Sequence, residues 1–536
     1  MSEPRLPALS PQAQPEFIDA ASAKAWLENV PLANVAAAQQ QLLAQVREFN
    51  RFDVLPSSRL ATLEALREAV QFVEIEQARR FTNRALPMAE SESQVFNDTL
   101  ELWEEMHLGY LRCLEAVAAS EAGMQAQGAF VCQRALSYTG LKMFHYHRAY
   151  RQVPPRVWRE LHEGYARAEQ LGAADEAVKD YLNRDVNDTS PRIAYLRALL
   201  LGMANPNELS QRQLTFVAFL LERWAEKVDI SLEAPADEEI APLVVDLECD
   251  FCPERDGPEA AEARYLDVKR LAKSLRNRIG LLRKGESPAK LALGEDCVQP
   301  SCEQLLVFLY RQWCQVRPPR ATERKKINDS AQASQDMAAI HYYISGHVFR
   351  QPGEAKELTS VQRDQLVAFG RVSTRDEDDY SVVHGFVLEN WHLEDESAQG
   401  MKMVRRAADP GKRYSHGMLV GVKPADAKSY LLGQVRWLVQ NDGGDLYAGV
   451  RLLPGLPAAS AVRPTGLNVV NAKYVPVLSL TGVQALKAPP SLVLPSGWFK
   501  PKRVIEVYVE GHVRVRLTEM LDRGSDYERV AYEMVS

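Results

Sequence analysis

The sequence predicts a multidomain α + β protein: a large all-α helical N-terminal region, then a small β-barrel and a β-rich C-terminal segment. Three observations carry this reading. The chain has 536 residues, beyond the roughly 250–300 residues at which single hydrophobic cores stop growing. Up to about residue 235, apolar side chains recur at steps of three and four, the spacing of one helix face. From about residue 380 onward Val, Tyr, Trp, Gly and turn dipeptides dominate, the composition of short strands joined tightly.

Taken in order, residues 1–20 are expected to form a disordered tail, because Met1 to Gln14 is proline-rich and polar and lacks the apolar core of a signal peptide. Residues 21–232 are expected to form an α-helical bundle or solenoid. Leu60, Leu63, Leu66, Val70 and Val73 make one stripe, after the capping candidates Ser57 and Ser58, and Trp103, Met106, Tyr110, Leu114 and Val117 make another. Ser190-Pro191 has the form of a helix start, with Ser as N-cap and Pro at the first helical position. Ser210 is placed to cap a helix with the stripe Leu214, Val217, Leu221, Trp224 and Val228. Short polar connections imply antiparallel neighbours.

Residues 233–262 contain Pro235, Pro242, Pro253, Gly257 and Pro258 among acidic residues and read as a linker. Further helices are expected over 263–316, where Leu305, Leu306, Leu309 and Trp313 share a face; the chain changes character at Arg317-Pro318-Pro319. Within 317–458, Ser381–Leu393, Gly417–Lys423, Leu431–Val439 and Tyr447–Leu453 read as strands, and Asp442-Gly443-Gly444 as a hairpin turn. Such close spacing predicts a small barrel. The β-rich module 459–536 includes Val504–Val509 and Val513–Leu517, facing each other across a turn.

Composition narrows the function classes. A formal net charge of −7 argues against a general binder of nucleic-acid polymers, which needs a broad basic surface. No apolar run approaches the ~18 residues of a membrane span. Seven scattered cysteines form no disulfide framework and no export signal is visible, so a reducing cytoplasm is the expected location. Cys249-x-x-Cys252 with Cys297 and Cys302 could offer four thiolates to zinc, but the second spacing is loose and incidental cysteines are the simpler reading, so no metal is expected. Phosphate-binding loops, nucleophile elbows and metalloprotease motifs are all missing, so neither an enzyme nor catalytic residues are expected.

The most specific stretch is Trp391-x-x-x-Asp395-x-Ser397-x-x-Gly400-Met-Lys-Met, followed by Val435-Arg436-Trp437 and Gly449-Val450. It resembles the Asp/Asn-x-Ser-x-x-Gly signature and strand order of PilZ domains, receptors for the bacterial second messenger cyclic di-GMP. The resemblance covers roughly residues 317–455. It implies that Asp395 accepts guanine N–H protons, that Ser397 adds a hydroxyl partner and that Gly400 permits close backbone approach. It also implies an Arg-x-x-x-Arg element before the barrel, whose guanidinium forks suit phosphate and the guanine O6/N7 edge. Arg320 and Arg324 have that form, beside Arg317, Lys325 and Lys326, but Arg324 lies 71 positions before Asp395, farther than is usual in the family. An insertion, with Met337–Arg363 as its candidate, would account for the distance. Arg371 and Arg375 are the alternative pair; we prefer Arg320 and Arg324 because a Pro-flanked basic linker can wrap back onto a barrel.

The function so implied is a cytoplasmic cyclic di-GMP receptor, with no cofactor, that couples nucleotide binding to an unidentified protein partner of the helical region. Its output would be a surface-associated process such as motility, pili, polysaccharide or virulence. The competing reading is a nucleotide-free PilZ-like adaptor acting through protein–protein contacts.

Overall fold

The structure, a computed structural model, describes residues 6–184, 186–234, 243–252, 262–294, 297–298, 301–315, 325–353, 385–466, 472–509 and 511–535. The chain divides into two compact units. One comprises Met1–Arg84 and Met88–Arg320, the other Ala321–Ser536 with Ala85–Pro87.

The first unit is built from helices α1 (Ala20–Leu27), α2 (Val35–Arg51), α3 (Pro56–Ala78), α4 (Glu90–Ala118), α5 (Gly128–Arg148), α6 (Pro155–Gln170), α7 (Pro191–Met203), α8 (Gln211–Trp224), α9 (Lys269–Arg283) and α10 (Ser301–Trp313). α4 packs between α3 and α5, and α5 also packs on α6 and α7. The stripe predicted for α4 is its inward face, since Trp103, Met106, Tyr110, Leu114 and Val117 are all buried. Each such side chain stabilises the fold by about 1.5–3 kcal/mol relative to exposure. Ser190 caps α7 by accepting the Ile193 N–H at 3.2 Å, and Ser210 with Gln213 forms a capping box at α8. Ser57 and Ser58 do not cap α3. That helix starts ahead of both, at Pro56, with Leu55 at the N-cap.

Two other expectations for this unit are corrected. Residues 6–19 are not a disordered tail: Phe17 is buried with its ring 5.3 Å from Trp26 and 5.4 Å from Phe49, and Ser10 N–H donates to Arg51 O. One aromatic anchor and a few backbone bonds outweigh the proline-rich composition. The 233–262 segment is not simply a linker. A three-stranded sheet orders β3 (Asp229–Ser231), β5 (Ala263–Asp267) and β4 (Leu243–Asp246), and β4 buries Leu243 and Val245. A separate pair, β1 (Val178–Lys179) and β2 (Asp188–Thr189), closes the turn before α7.

The second unit holds two closed six-stranded barrels. The first comprises β6 (Lys325–Gln335), β7 (Glu389–Ser397), β8 (Gly400–Arg405), β9 (Leu419–Pro424), β10 (Leu431–Gln440) and β11 (Leu446–Leu452). β6 is followed by α11 (Met337–Ser345), which falls inside the expected insertion. The second comprises β12 (Pro457–Pro464), β13 (Val475–Leu480), β14 (Ser491–Pro495), β15 (Val504–Tyr508), β16 (His512–Arg523) and β17 (Tyr527–Met534). Every strand pair is antiparallel. Counted within each barrel, the strand order is the same, 1-2-3-6-5-4. A shared apolar cluster joins them: Ile340 of α11 packs with Leu419 and Leu432 of the first barrel and with Leu478, Leu480 and Tyr527 of the second. The hairpin predicted at Asp442-Gly443-Gly444 joins β10 to β11, with Gly444 at φ +85°. β6 was not foreseen: Lys325 and Lys326, read as the end of a flexible linker, begin a strand.

Candidate ligand-binding face

β7 and β8 are joined by only Ala398 and Gln399, so the motif sits on a tight hairpin. Ser397 and Gly400 are cross-strand partners. The Ser397 hydroxyl donates to Gly400 O at 3.2 Å and accepts Gln399 N–H at 3.4 Å, and Leu452 N–H donates to Gln399 O at 2.9 Å. Gly400 is buried, and a Cβ there would overlap the Val450 carbonyl oxygen on β11. The barrel itself therefore requires this glycine, because β8 and β11 approach too closely for a side chain.

Asp395 follows a bulge after Leu393 and stands opposite Lys402 on β8 and Lys326 on β6. Directly opposed residues of neighbouring strands point to the same face. The register can be followed further, from Lys402 to Gly449 on β11 and from Gly449 to Trp437 on β10. One row therefore runs Lys326, Asp395, Lys402, Gly449, Trp437. It faces outward, since Met401, Met403, Ala448 and Val450, the alternate residues of β8 and β11, fill the buried interior. Lys402 Nζ lies 2.6 Å from Glu394 Oε2 and 5.4 Å from the Tyr447 ring centroid. The next outward row runs Ser397, Gly400, Arg451, Gln434. Arg451 donates to Gln434 Oε1 at 2.9 Å and pairs with Asp522. Three cations thus flank a carboxylate–hydroxyl corner on a wall with two side-chain-free positions.

The structure places Asp395, Ser397 and Gly400 on the β7–β8 hairpin. Both arginine pairs, Arg320 with Arg324 and Arg371 with Arg375, lie outside the described residues. Lys326, the Cα partner of Asp395, is two positions beyond Arg324 in the chain. Sequence reasoning missed Lys402, Arg451 and Trp437 as members of this face. Alternation along each strand would have put them outward, but which strands adjoin, and in what register, is not written in local pattern.

Among the described residues no cluster could hold a metal ion. Cys297 and Cys302 are joined as a disulfide, which removes them from any four-thiolate set with Cys249 and Cys252. The Cys249 thiol instead lies 3.6 Å from Nε2 of buried His162, whose Nδ1 is 2.9 Å from the Tyr195 hydroxyl. Burial keeps that imidazole neutral, with its pKa lowered to about 4. Among the described residues no helix is long and apolar enough to cross a membrane.

Two family descriptions match this chain. Residues 21–236 match "Cyclic-di-GMP receptor FimW, N-terminal domain", and residues 460–535 match "FimW C-terminal beta-barrel domain". The cyclic-di-GMP receptor FimW of Pseudomonas aeruginosa is 25% identical to this chain, across 92% of this chain and 86% of its own length. The matched proteins are described as receptors, which bind rather than turn over a substrate. The two matched spans take in most of the helical unit and the second barrel; the first barrel, Lys325–Leu452, lies between them.

Proposed function

We propose that this protein is a cytoplasmic cyclic di-GMP receptor whose ligand lies on the outer wall of the first, PilZ-like barrel. The observation that carries this reading is the register of β6: Lys326 faces Asp395 and follows Arg324 by two positions, so one strand start links the arginine motif to the Asp-x-Ser corner. The similarity to a protein described as a cyclic-di-GMP receptor supports it. The ligand's two phosphates call for cations, which Arg320 and Arg324 supply, aided by Lys326 and Lys402. Asp395 reads guanine N–H donors and Ser397 offers a hydroxyl beside them. Catalysis is not required. The helical unit then presents the bound state to a protein partner, with a surface-associated process such as motility, pili, polysaccharide or virulence as the output.

Calorimetry of the full chain with cyclic di-GMP tests this. Saturable binding is expected, abolished in the double variant Arg320→Ala/Arg324→Ala and retained in Arg371→Ala/Arg375→Ala. Absence of heat from the unmodified chain at millimolar ligand would overturn the receptor reading in favour of a nucleotide-free adaptor. Loss only in the second pair would move the arginine assignment.

A further inference from the structure

We infer that the groove between α6 and the three-stranded sheet of the helical unit is a docking site for an extended, basic segment of a protein partner, one that carries apolar side chains among its lysines and arginines. This rests on the reading that the helical unit meets a partner and supplies that partner's chemistry. It does not depend on where the nucleotide binds.

Two walls make the groove, whose volume is about 670 Å³. One is α6, from which Tyr165, Ala166 and Glu169 line it. The other is the sheet, with Ile230 of β3 and Arg264 of β5, and with Leu232 and Leu247 just past the ends of β3 and β4. Ile230 stands opposite Leu266, which is fully buried, so this is the inward face of the sheet. Alternation carries that face on from Ile230 to Leu232. Leu232 nevertheless remains 70% exposed, so the apolar floor reaches water at the mouth of the groove. Apolar surface gathered in a concave, polar-rimmed site marks an interaction surface, as a leucine scattered on a convex face does not.

Charge decides what fits. Five carboxylates and one cation line the groove. The cation, Arg264, is taken up by Glu169 at 2.8 Å and Glu262 at 3.4 Å. Arg192 holds Asp175 at 2.5 Å. Exposed Glu248 has no ion pair among the described residues. A phosphate-bearing ligand is repelled here, and a purely apolar segment would strip water from carboxylates without pairing them. Lysine or arginine beside an apolar side chain satisfies both the rim and the floor. The sheet adds a backbone element: β3 is an edge strand, paired with β5 alone, and an extended segment can lie along such an edge.

A fluorescein-labelled probe peptide of alternating lysine and leucine tests the groove by fluorescence anisotropy with the full chain. Saturable binding is expected, roughly 10-fold weaker or more for a lysine–serine peptide of the same length and undetectable for a glutamate–leucine peptide. The double variant Leu232→Ser/Glu248→Lys should weaken the lysine–leucine probe by roughly 10-fold or more, with circular dichroism like the parent's, since both positions are exposed. Glu101→Lys, at an exposed carboxylate on α4, should leave it within about 2-fold. No binding of the probe, equal affinity for the lysine–serine peptide, or an equal loss in Glu101→Lys would each overturn the groove. Calorimetry with cyclic di-GMP on the same chain keeps the two readings apart. Nucleotide binding without probe binding removes the groove and leaves the receptor; the variant-sensitive probe binding without nucleotide binding supports the groove and removes the receptor.

Discussion

The two barrels of this protein share one strand order and differ on the surface that matters. In the first, strands two and three are joined by a two-residue turn carrying Ser397 and Gly400 at its ends; in the second, the equivalent connection is Thr481–Pro490, ten residues without an Asp-x-Ser-x-x-Gly pattern. The first barrel is preceded by an arginine-rich segment, the second by Leu453–Leu456, which has no cation. Arg463 on the second barrel is taken up by Glu506, 2.7 Å away, which also accepts the Tyr474 hydroxyl. One topology thus carries the Asp-x-Ser corner beside Lys326, Lys402 and Arg451 on one barrel and an Arg463–Glu506–Tyr474 cluster on the other. With the ligand placed as proposed, fold and site separate within one chain.

That contrast can be attacked from several sides. The largest expected effect is on binding: Asp395→Ala should weaken cyclic di-GMP by roughly 10- to 100-fold, the loss of charged hydrogen bonds, while the melting transition stays near the parent's. Calorimetry and thermal denaturation on the same sample would check both halves.

Next comes a structural test of the first barrel. Gly400→Val pushes a branched side chain into the Val450 carbonyl, and overpacking of this kind costs about 1–3 kcal/mol or more. Chemical denaturation should register that loss; a neutral outcome would mean that β8 and β11 can separate without penalty.

A third expectation contrasts the helical unit with the barrels. Burial lowers His107, His147 and His162 to about 4 and holds His145 well below its ordinary value, and in the barrel unit it lowers His341 to about 4. For a depressed imidazole the unfolded chain takes up protons first. Stability is therefore complete above about pH 6.5 and declines toward pH 4, by about 1.4 kcal/mol per pH unit for each group. Buried Glu74, raised to about 8, acts in the opposite sense, since its neutral form is favoured in the fold, and offsets about one histidine in that window. Acid titration followed by helical circular dichroism should show loss of the helical unit before the barrels; loss of the barrel signal first would contradict this assignment.

The smallest effect is a null. Arg463→Ala on the second barrel should leave nucleotide affinity within about 2-fold, as surface substitutions away from a site usually do. A large loss there would mean that the second barrel carries part of the site.

Much of this architecture was legible in the chain. Helices with long stripes and strong caps, such as those begun by Ser190 and Ser210, announce themselves because the signal is local. The Asp442-Gly443-Gly444 hairpin was legible for the same reason. What escaped depended on distant partners: Phe17 orders a proline-rich segment only by meeting Phe49, β4 exists only beside β5, and β6 was hidden by its polar, alternating sequence. The outward row was invisible because its members lie on five strands, and only the register puts Trp437, Lys402 and Asp395 in line.

Hydrogen–deuterium exchange of the full chain with and without saturating cyclic di-GMP tests the central claim most directly. Protection is expected in the β7–β8 hairpin, at the start of β6 and in β10 around Trp437, with the second barrel unchanged. Protection confined to the second barrel or the helical unit, or none at all, would contradict the placement of the ligand on the first barrel's outer wall.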